Sequence, residues 1–280
     1  MESGKVLVLG AAGRLGRMLA ACWPASDDLV LQSRRSRPGH LTLDTLADPD
    51  GLARAAEGAR AIVCLAGVTP AHAAATGDRM RLNTDLALAA LEAARRSGAG
   101  RVFLASSAAV YGRGGAGLHE GMACVPVSTY GEAKQDMERS VRAAADGHPV
   151  TALRIGNVAG ADAILGGWSE VMELDTLADG TTPLRSYIGP ATLARVVHRL
   201  TMTSDLPDTL NIAAPGAVAM GALLDAAGLP WRSRPAGPDT IARVVFDTGR
   251  LERLFDFTPE DSTAAGMVAE WRALSQDDRS

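Results

Sequence analysis

The alternation of short apolar runs with longer amphipathic ones predicts an α/β fold: a Rossmann-like doubly wound parallel sheet with a small, discontinuous second lobe. Three observations carry this. Unbroken apolar runs of strand length recur along the chain, helical patterns separate them, and a glycine-rich string follows the first run directly. Strands covered by helices on both faces read as continuous apolar runs, and right-handed crossovers then wind the sheet both ways.

Val6 to Leu9 is the first strand, followed by a helix from Arg14 to Cys22 with Leu15, Met18, Leu19 and Cys22 at helical spacing. Leu29 to Leu31 and Ile62 to Leu65 read as strands. Asn83 to Ser97 is a helix with Arg95 and Arg96 in its last turn and Gly98 where a C-terminal cap belongs. Val102 to Ala105 is a strand, Tyr130 to Ala145 a helix, and Val150 to Arg154 a strand. After Arg154 the rhythm breaks, and residues 156–180 show no clear period. Pro190 to Leu200 returns to helix, Leu210 to Ala213 is a short strand, and the Pro/Arg-rich stretch from Pro230 to Pro238 reads as a loop. The polar end from Ser275 to Ser280 is expected to fray. These runs divide the chain into a nucleotide-binding domain over 1–155, which also receives 187–213, and a small substrate lobe built from 156–186 and 214–280.

The 280 residues are 47% hydrophobic, with a net charge of −4 and a pI near 5.8. An acidic balance argues against a nucleic-acid partner. Apolar runs fall well short of the roughly 20 residues of a membrane span. The opening MESGKVLVLG has only four apolar residues before Gly10, too few for a signal peptide, so the expected location is cytoplasmic. Cys22, Cys64 and Cys124 lack metal-ligand spacing and read as small buried hydrophobes; no metal site is expected.

Gly10-Ala11-Ala12-Gly13-Arg14-Leu15-Gly16 lies between the first strand and the first helix. Gly10 and Gly13 permit a tight turn and close backbone approach to a pyrophosphate. Gly16 lets helix and strand pack, while the helix N-terminus, with Arg14 and Leu15, offers free N–H groups. The second strand runs into Gln32-Ser33-Arg34-Arg35, with no acid to hold ribose hydroxyls and two guanidinium groups suited to a 2′-phosphate. This points to NADP, with NAD possible and a solvated basic loop as the plain alternative. Asp44 is placed to reach the adenine edge, and Leu65, Ala66 and Gly67 are small enough to border the cofactor.

Tyr130 and Lys134 lie four apart on a helix and share one face. The ammonium is expected to lower the phenol pKa and to hold the nicotinamide ribose, so that Tyr130 exchanges a proton with a substrate oxygen near neutral pH. Ser106 and Ser107 end the strand before it, and a serine there can hydrogen-bond the same oxygen.

Taken together, GAAGRLG, the Cys64-Leu65-Ala66-Gly67 string, Asn83, Ser106 to Gly112, Tyr130 to Lys134, Leu153 to Gly160, Arg185 to Ile188, Asn211 to Ala213, Phe246 to Leu251 and the final Trp271 helix resemble the NAD(P)-dependent epimerase/dehydratase family of extended short-chain dehydrogenases/reductases. The resemblance selects Ser107 over Ser106 as the catalytic serine. It implies that Asn83 and Ile155 line the cofactor, that Asn157 and Arg185 face the substrate, and that Arg185 is a diphosphate ligand or else a surface residue. It also implies a homodimer through the Asn83 and Tyr130 helices, for which the Ala/Leu content of Leu86 to Ala94 is expected to lie exposed.

Departures narrow the chemistry. Family dehydratases carry an acid pair where this chain has Ala108 and Ala109, and a cysteine base of some epimerases is absent at Ala109. Cys124, in the loop before Tyr130, could lean over the site but reads first as structural. What remains is reversible hydride transfer at a carbonyl or hydroxyl of a small-molecule substrate. A small sugar-like or other hydroxy/keto compound is preferred over a nucleotide sugar, because the chain is short for that group and residues 161–182 hold Asp162, Glu170, Glu173, Asp175 and Asp179 without Lys or Arg. A nucleotide-sugar epimerase with tightly held NAD is the alternative. A non-catalytic NADP-binding sensor or scaffold is the other, although such proteins lose Tyr or Lys and this chain keeps both.

Overall fold

A computed structural model describes residues 4–25 and 28–277. Seven parallel strands form the main sheet: β1 (Lys5–Leu9), β2 (Leu29–Ser33), β3 (His40–Thr42), β4 (Ala59–Cys64), β5 (Arg101–Ser107), β7 (Val150–Ile155) and β12 (Thr209–Ile212). Their spatial order is β12-β7-β5-β4-β1-β2-β3. The order reverses beside β1, so the loops after β1 and β4 open a crevice at the carboxyl ends of the strands, where ligands of such folds bind. This is the expected doubly wound fold.

The pleat sorts the core. Val6 and Val8 face one layer with Phe103, Leu153, Val196 and Val197, while Leu7 and Leu9 face the other with Ile62, Leu104, Leu91 and Met137. Helices α1 (Arg14–Ala21) and α6 (Pro190–Thr201) cover the first face; α2 (Pro49–Ala56), α4 (Leu82–Ser97) and α5 (Thr129–Ala144) cover the second, with α3 (Pro70–Thr76) between β4 and α4. Each fully buried Leu or Ile side chain contributes about 1.5–3 kcal/mol. Gly98 closes α4 at φ 70°, the left-handed cap its sequence foretold.

A second sheet joins β6 (Gly115–Leu118), β10 (Leu184–Arg185), β13 (Val218–Ala219) and β15 (Arg243–Phe246) in the order β13-β10-β15-β6. Its β6 comes from within the first 155 residues. Short pairs join β8 (Asn157–Val158) to β11 (Tyr187–Ile188), and β9 (Glu173–Thr176) to β14 (Arg232–Pro235). Helices α7 (Met220–Ala226), α8 (Gly249–Glu252) and α9 (Ala264–Asp277) complete the chain, with α7 and α9 sharing a core that includes Leu223, Leu224, Met267 and Val268. The polar end is helical as far as Asp277, and its last three residues lie outside the described residues.

Two expectations are corrected. The stretch from Pro230 to Pro238 is not all loop: residues 232–235 pair in parallel with β9, fastened by an Arg234–Asp175 ion pair of 2.6 Å. Proline at the strand's end costs no ladder bond, which composition alone concealed. The Ala/Leu face of Leu86 to Ala94 is not exposed: Ala87, Ala90, Leu91, Ala93 and Ala94 are buried in the protomer's own core, because α4 packs on α2 and α5.

Candidate active site

The glycine string forms the loop its spacing implies. Gly10 has φ 76°, and a Cβ there would lie 2.6 Å from the Ala66 nitrogen, so only glycine lets the β1 and β4 loops meet. Gly16 packs on Ala11, where a Cβ would fall 2.5 Å from its Cα. Gly13 has an ordinary φ of −70° and precedes α1, whose first turn no side chain caps. Uncapped N–H groups beside the Arg14 and Arg17 guanidiniums fit a pyrophosphate. Arg14 also reaches across the crevice to donate to the Ala161 carbonyl at 2.8 Å.

Sequence reasoning passed over Gln32. Buried at the end of β2, it accepts from the Gly10 N–H at 2.9 Å and donates to the Leu43 carbonyl, tying the glycine loop to the residue that follows β3. Ser33, also buried, donates to the Arg35 carbonyl, while Arg34 and Arg35 stand exposed beyond the strand. Asp44 accepts from Leu46 and Ala47 at 3.0 Å each, and these bonds hold its carboxyl below the usual range. One oxygen is thus occupied by the turn.

Leu65 and Ala66 are half-buried and Gly67 is exposed beside them. A Cβ on Gly67 would lie 2.5 Å from Asn83 Oδ1 and 3.4 Å from Lys134 Nζ. Asn83 itself is fully buried: Oδ1 accepts from Val68 N at 3.1 Å, and Nδ2 donates to the Val68 and Met80 carbonyls at 3.0 and 2.9 Å. Its amide therefore braces the segment from Leu65 to Val68 from behind. The residues present fit a dinucleotide: a bare backbone cradle, an open helix terminus and a small-residue wall.

The predicted catalytic residues converge. Ser107 ends β5 directly opposite Ile155 of β7. Gly131 brings α5 onto the turn that follows, since a Cβ there would lie 2.5 Å from the Ala109 carbonyl oxygen; Ser128 caps the helix by accepting from Gly131 N at 3.1 Å. Tyr130 is thereby set beside Ser107. Burial pushes the phenol pKa up, and the facing Ser107 hydroxyl opposes this in part. Lys134 is 5% exposed, donates to the Ala105 carbonyl at 2.7 Å, and lies 5.7 Å from the Tyr130 ring centroid. Burial lowers its pKa to about 8, against the pull of Cys64 and Glu138. The expected lowering of the phenol pKa by Lys134 is corrected: desolvation dominates, and the ammonium faces the ring and a carbonyl. Strand alternation separates the two serines, because Ser106 is buried and donates to Glu138. Beneath the site Arg154 forms a bidentate pair with Glu138 at 2.8 and 3.1 Å, and donates to the Tyr111 hydroxyl at 3.0 Å and to Cys124 Sγ at 3.0 Å. Cys124 is thus tied to Arg154, while burial raises the Cys64 thiol to about 11.

Beyond β7, the Asn157 side chain hydrogen-bonds the buried Tyr187 hydroxyl, which donates to Asp162 Oδ2 at 2.9 Å. Arg185 donates to the Leu184 and Ile241 carbonyls, each at 2.8 Å, and has no ion pair among the described residues; burial lowers its pKa. The negative character of residues 161–182 is reduced, since Asp175 pairs with Arg234. No group of three or more His, Cys, Asp or Glu side chains suited to a metal occurs among the described residues. Nor does any described helix have the length and apolarity to cross a membrane.

A Rossmann sheet with this site defines an enzyme of the extended short-chain dehydrogenase/reductase type. The family model for NAD-dependent epimerases/dehydratases matches residues 6–172, more than half of the chain, and the protein belongs to that family. Among solved structures, MoeE5 in complex with UDP-glucuronic acid and NAD is 25% identical with a TM-score of 0.74, over 97% of this chain and 100% of its own. UDP-N-acetylglucosamine 4-epimerase from Methanobrevibacter ruminantium M1, in complex with UDP-N-acetylmuramic acid, is 20% identical with a TM-score of 0.75, over 99% and 100%. UDP-glucose-4-epimerase from Stenotrophomonas maltophila, with NAD and formylated UDP-arabinopyranose, is 17% identical with a TM-score of 0.76, over 99% of each chain. No curated protein matches in sequence.

Proposed function

We propose that the protein catalyses reversible, NADP(H)-dependent hydride transfer at a carbonyl or hydroxyl carbon of a sugar-like substrate, without loss of water. The carrying observation is the convergence of Ser107, Tyr130 and Lys134 beside the Gly67 wall. A bound nicotinamide supplies or accepts the hydride. Ser107 and Tyr130 donate to the substrate oxygen, and the phenol, kept protonated by burial, releases its proton to that oxygen in the reducing direction. Lys134, whose pKa burial lowers to about 8, replaces the proton.

Ala108 and Ala109 follow Ser107 where elimination would need acids, which supports simple hydride transfer. NADP is supported by the exposed Arg34 and Arg35 after a strand end that offers neutral Gln32 and Ser33. Arg185, half-buried and without a carboxylate partner among the described residues, suits an anionic group on the substrate, and the diphosphate of a nucleotide sugar meets that chemistry. Homodimerisation belongs to the same reading only through the half-buried Leu86, Leu88 and Ala89 of α4.

Mass spectrometry of nucleotide released on denaturation, with titration of NADPH and NADH into the nucleotide-free protein, tests the proposal. Exchangeable NADPH binding tighter than NADH supports it. A second reading, an epimerase that retains NAD, draws on the NAD held by MoeE5 and the Stenotrophomonas epimerase; it requires NAD that survives purification and leaves only on denaturation.

A further inference from the structure

Glu138 lies one turn beyond Lys134 on α5 and is 6% exposed. It accepts from three groups: Ser106, the residue before Ser107; Arg154 Nε at 3.1 Å; and Arg154 Nη2 at 2.8 Å. Arg154 immediately precedes Ile155, which stands opposite Ser107, and its Nη1 reaches the Tyr111 hydroxyl. That hydroxyl donates to Asn211 of β12 at 2.7 Å. One buried carboxylate thus joins the helix bearing Tyr130 and Lys134, the strand bearing Ser107 and, through Arg154, the strand leading to Asn157.

We infer that Glu138 is a positioning residue for proton transfer: it locks α5 to β5 and β7 and presents its carboxylate one helical turn from the Lys134 ammonium. This rests on the Tyr130–Lys134 reading of the site. The groups facing Lys134 are Cys64 from β4 and Tyr130 and Glu138 from its own helix, with Arg154 of β7 behind Glu138. Cys64 stays a neutral thiol, because burial raises its pKa to about 11. Glu138 is therefore the standing negative charge that favours the ammonium. A carboxylate removed from it by substitution leaves desolvation less opposed, and Lys134 gives up its proton at lower pH.

The chain holds only two lysines, exposed Lys5 and buried Lys134, so a protein labelled with 13C at lysine Cε gives two titration curves to follow. In the wild type the Lys134 midpoint is expected near pH 8. In Glu138→Gln it falls by about one unit, and Glu138→Asp restores most of the shift. Should Glu138→Gln fail to fold because Arg154 is left unpaired, the double variant Glu138→Leu/Arg154→Met removes both charges and shows a smaller lowering of the midpoint, because no unpaired guanidinium adds its repulsion. A Lys134 midpoint unchanged in the variant that folds overturns the inference. The titration needs neither substrate nor turnover, so its outcome is separate from that of the proposed activity. Where hydride transfer is measurable, the alkaline limb of kcat moves with the midpoint while substrate KM stays within about twofold; a merely structural role would lower kcat without moving the limb.

Discussion

The Lys134 ammonium nitrogen lies 5.7 Å from the centre of the Tyr130 ring and donates to the Ala105 carbonyl at 2.7 Å. The pair is held by the burial of both residues, and that burial has a consequence for stability. Lys134 titrates near pH 8 in the folded chain, against an ordinary value of 10.5, so the unfolded chain binds its proton more tightly. Stability from this group is therefore lowest below about pH 8 and grows as pH rises from 8 toward 10.5. Denaturant unfolding at pH 7 and pH 9.5 should show the gain in the wild type. Lys134→Met should lose the dependence and be more stable at pH 7, by on the order of 2 kcal/mol, while losing activity.

Gly10 carries the contact between the β1 and β4 loops. Gly10→Val should weaken cofactor binding by roughly tenfold or more, because a side chain at φ 76° would meet the Ala66 backbone. Gly237→Ala, which meets nothing within 4 Å, should bind as the wild type does. Nucleotide titration followed by fluorescence distinguishes them.

Arg34 and Arg35 should set the choice of nicotinamide nucleotide. Loss of charged hydrogen bonds to a 2′-phosphate would weaken NADPH by roughly ten- to a hundredfold in the double alanine variant, leaving NADH little changed. Equal losses for both nucleotides would return these arginines to a solvated loop.

Arg185→Met should raise KM for a diphosphate-bearing sugar by roughly tenfold or more, since a charge-assisted contact is removed. It should have little effect on a sugar without phosphate. Initial-rate kinetics on such a pair of substrates gives the comparison.

Much of the nucleotide half was legible because its signals are local. Gly10, Gly13 and Gly16 mark a strand-turn-helix within a few residues, and Tyr130 and Lys134 share a helix face by spacing alone. The choice of Ser107 over Ser106 came from the family resemblance alone, and its physical reason appears only in the pleat, which sends Ser106 to Glu138 and Ser107 to Tyr130. Other features hang on partners far away in sequence. Arg154 and Glu138 read separately as ordinary charged residues until β7 and α5 are placed, and Gln32 gains meaning only where its amide meets Gly10. Residues 232–235 looked like loop because their strand character comes from pairing with β9, itself unmarked by any period. The acidic stretch likewise misled, as the arginine that balances Asp175 lies 59 residues further on.

The most direct test of the account follows deuterium from 4-deuterated NADPH into substrate, using a panel of keto-sugars and their nucleotide derivatives, in the wild type and in Tyr130→Phe. The account predicts deuterium at the former carbonyl carbon with no loss of water, and a rate about a hundredfold or more lower in Tyr130→Phe at unchanged NADPH binding. Deuterium transfer at equal rates in the two proteins would contradict it.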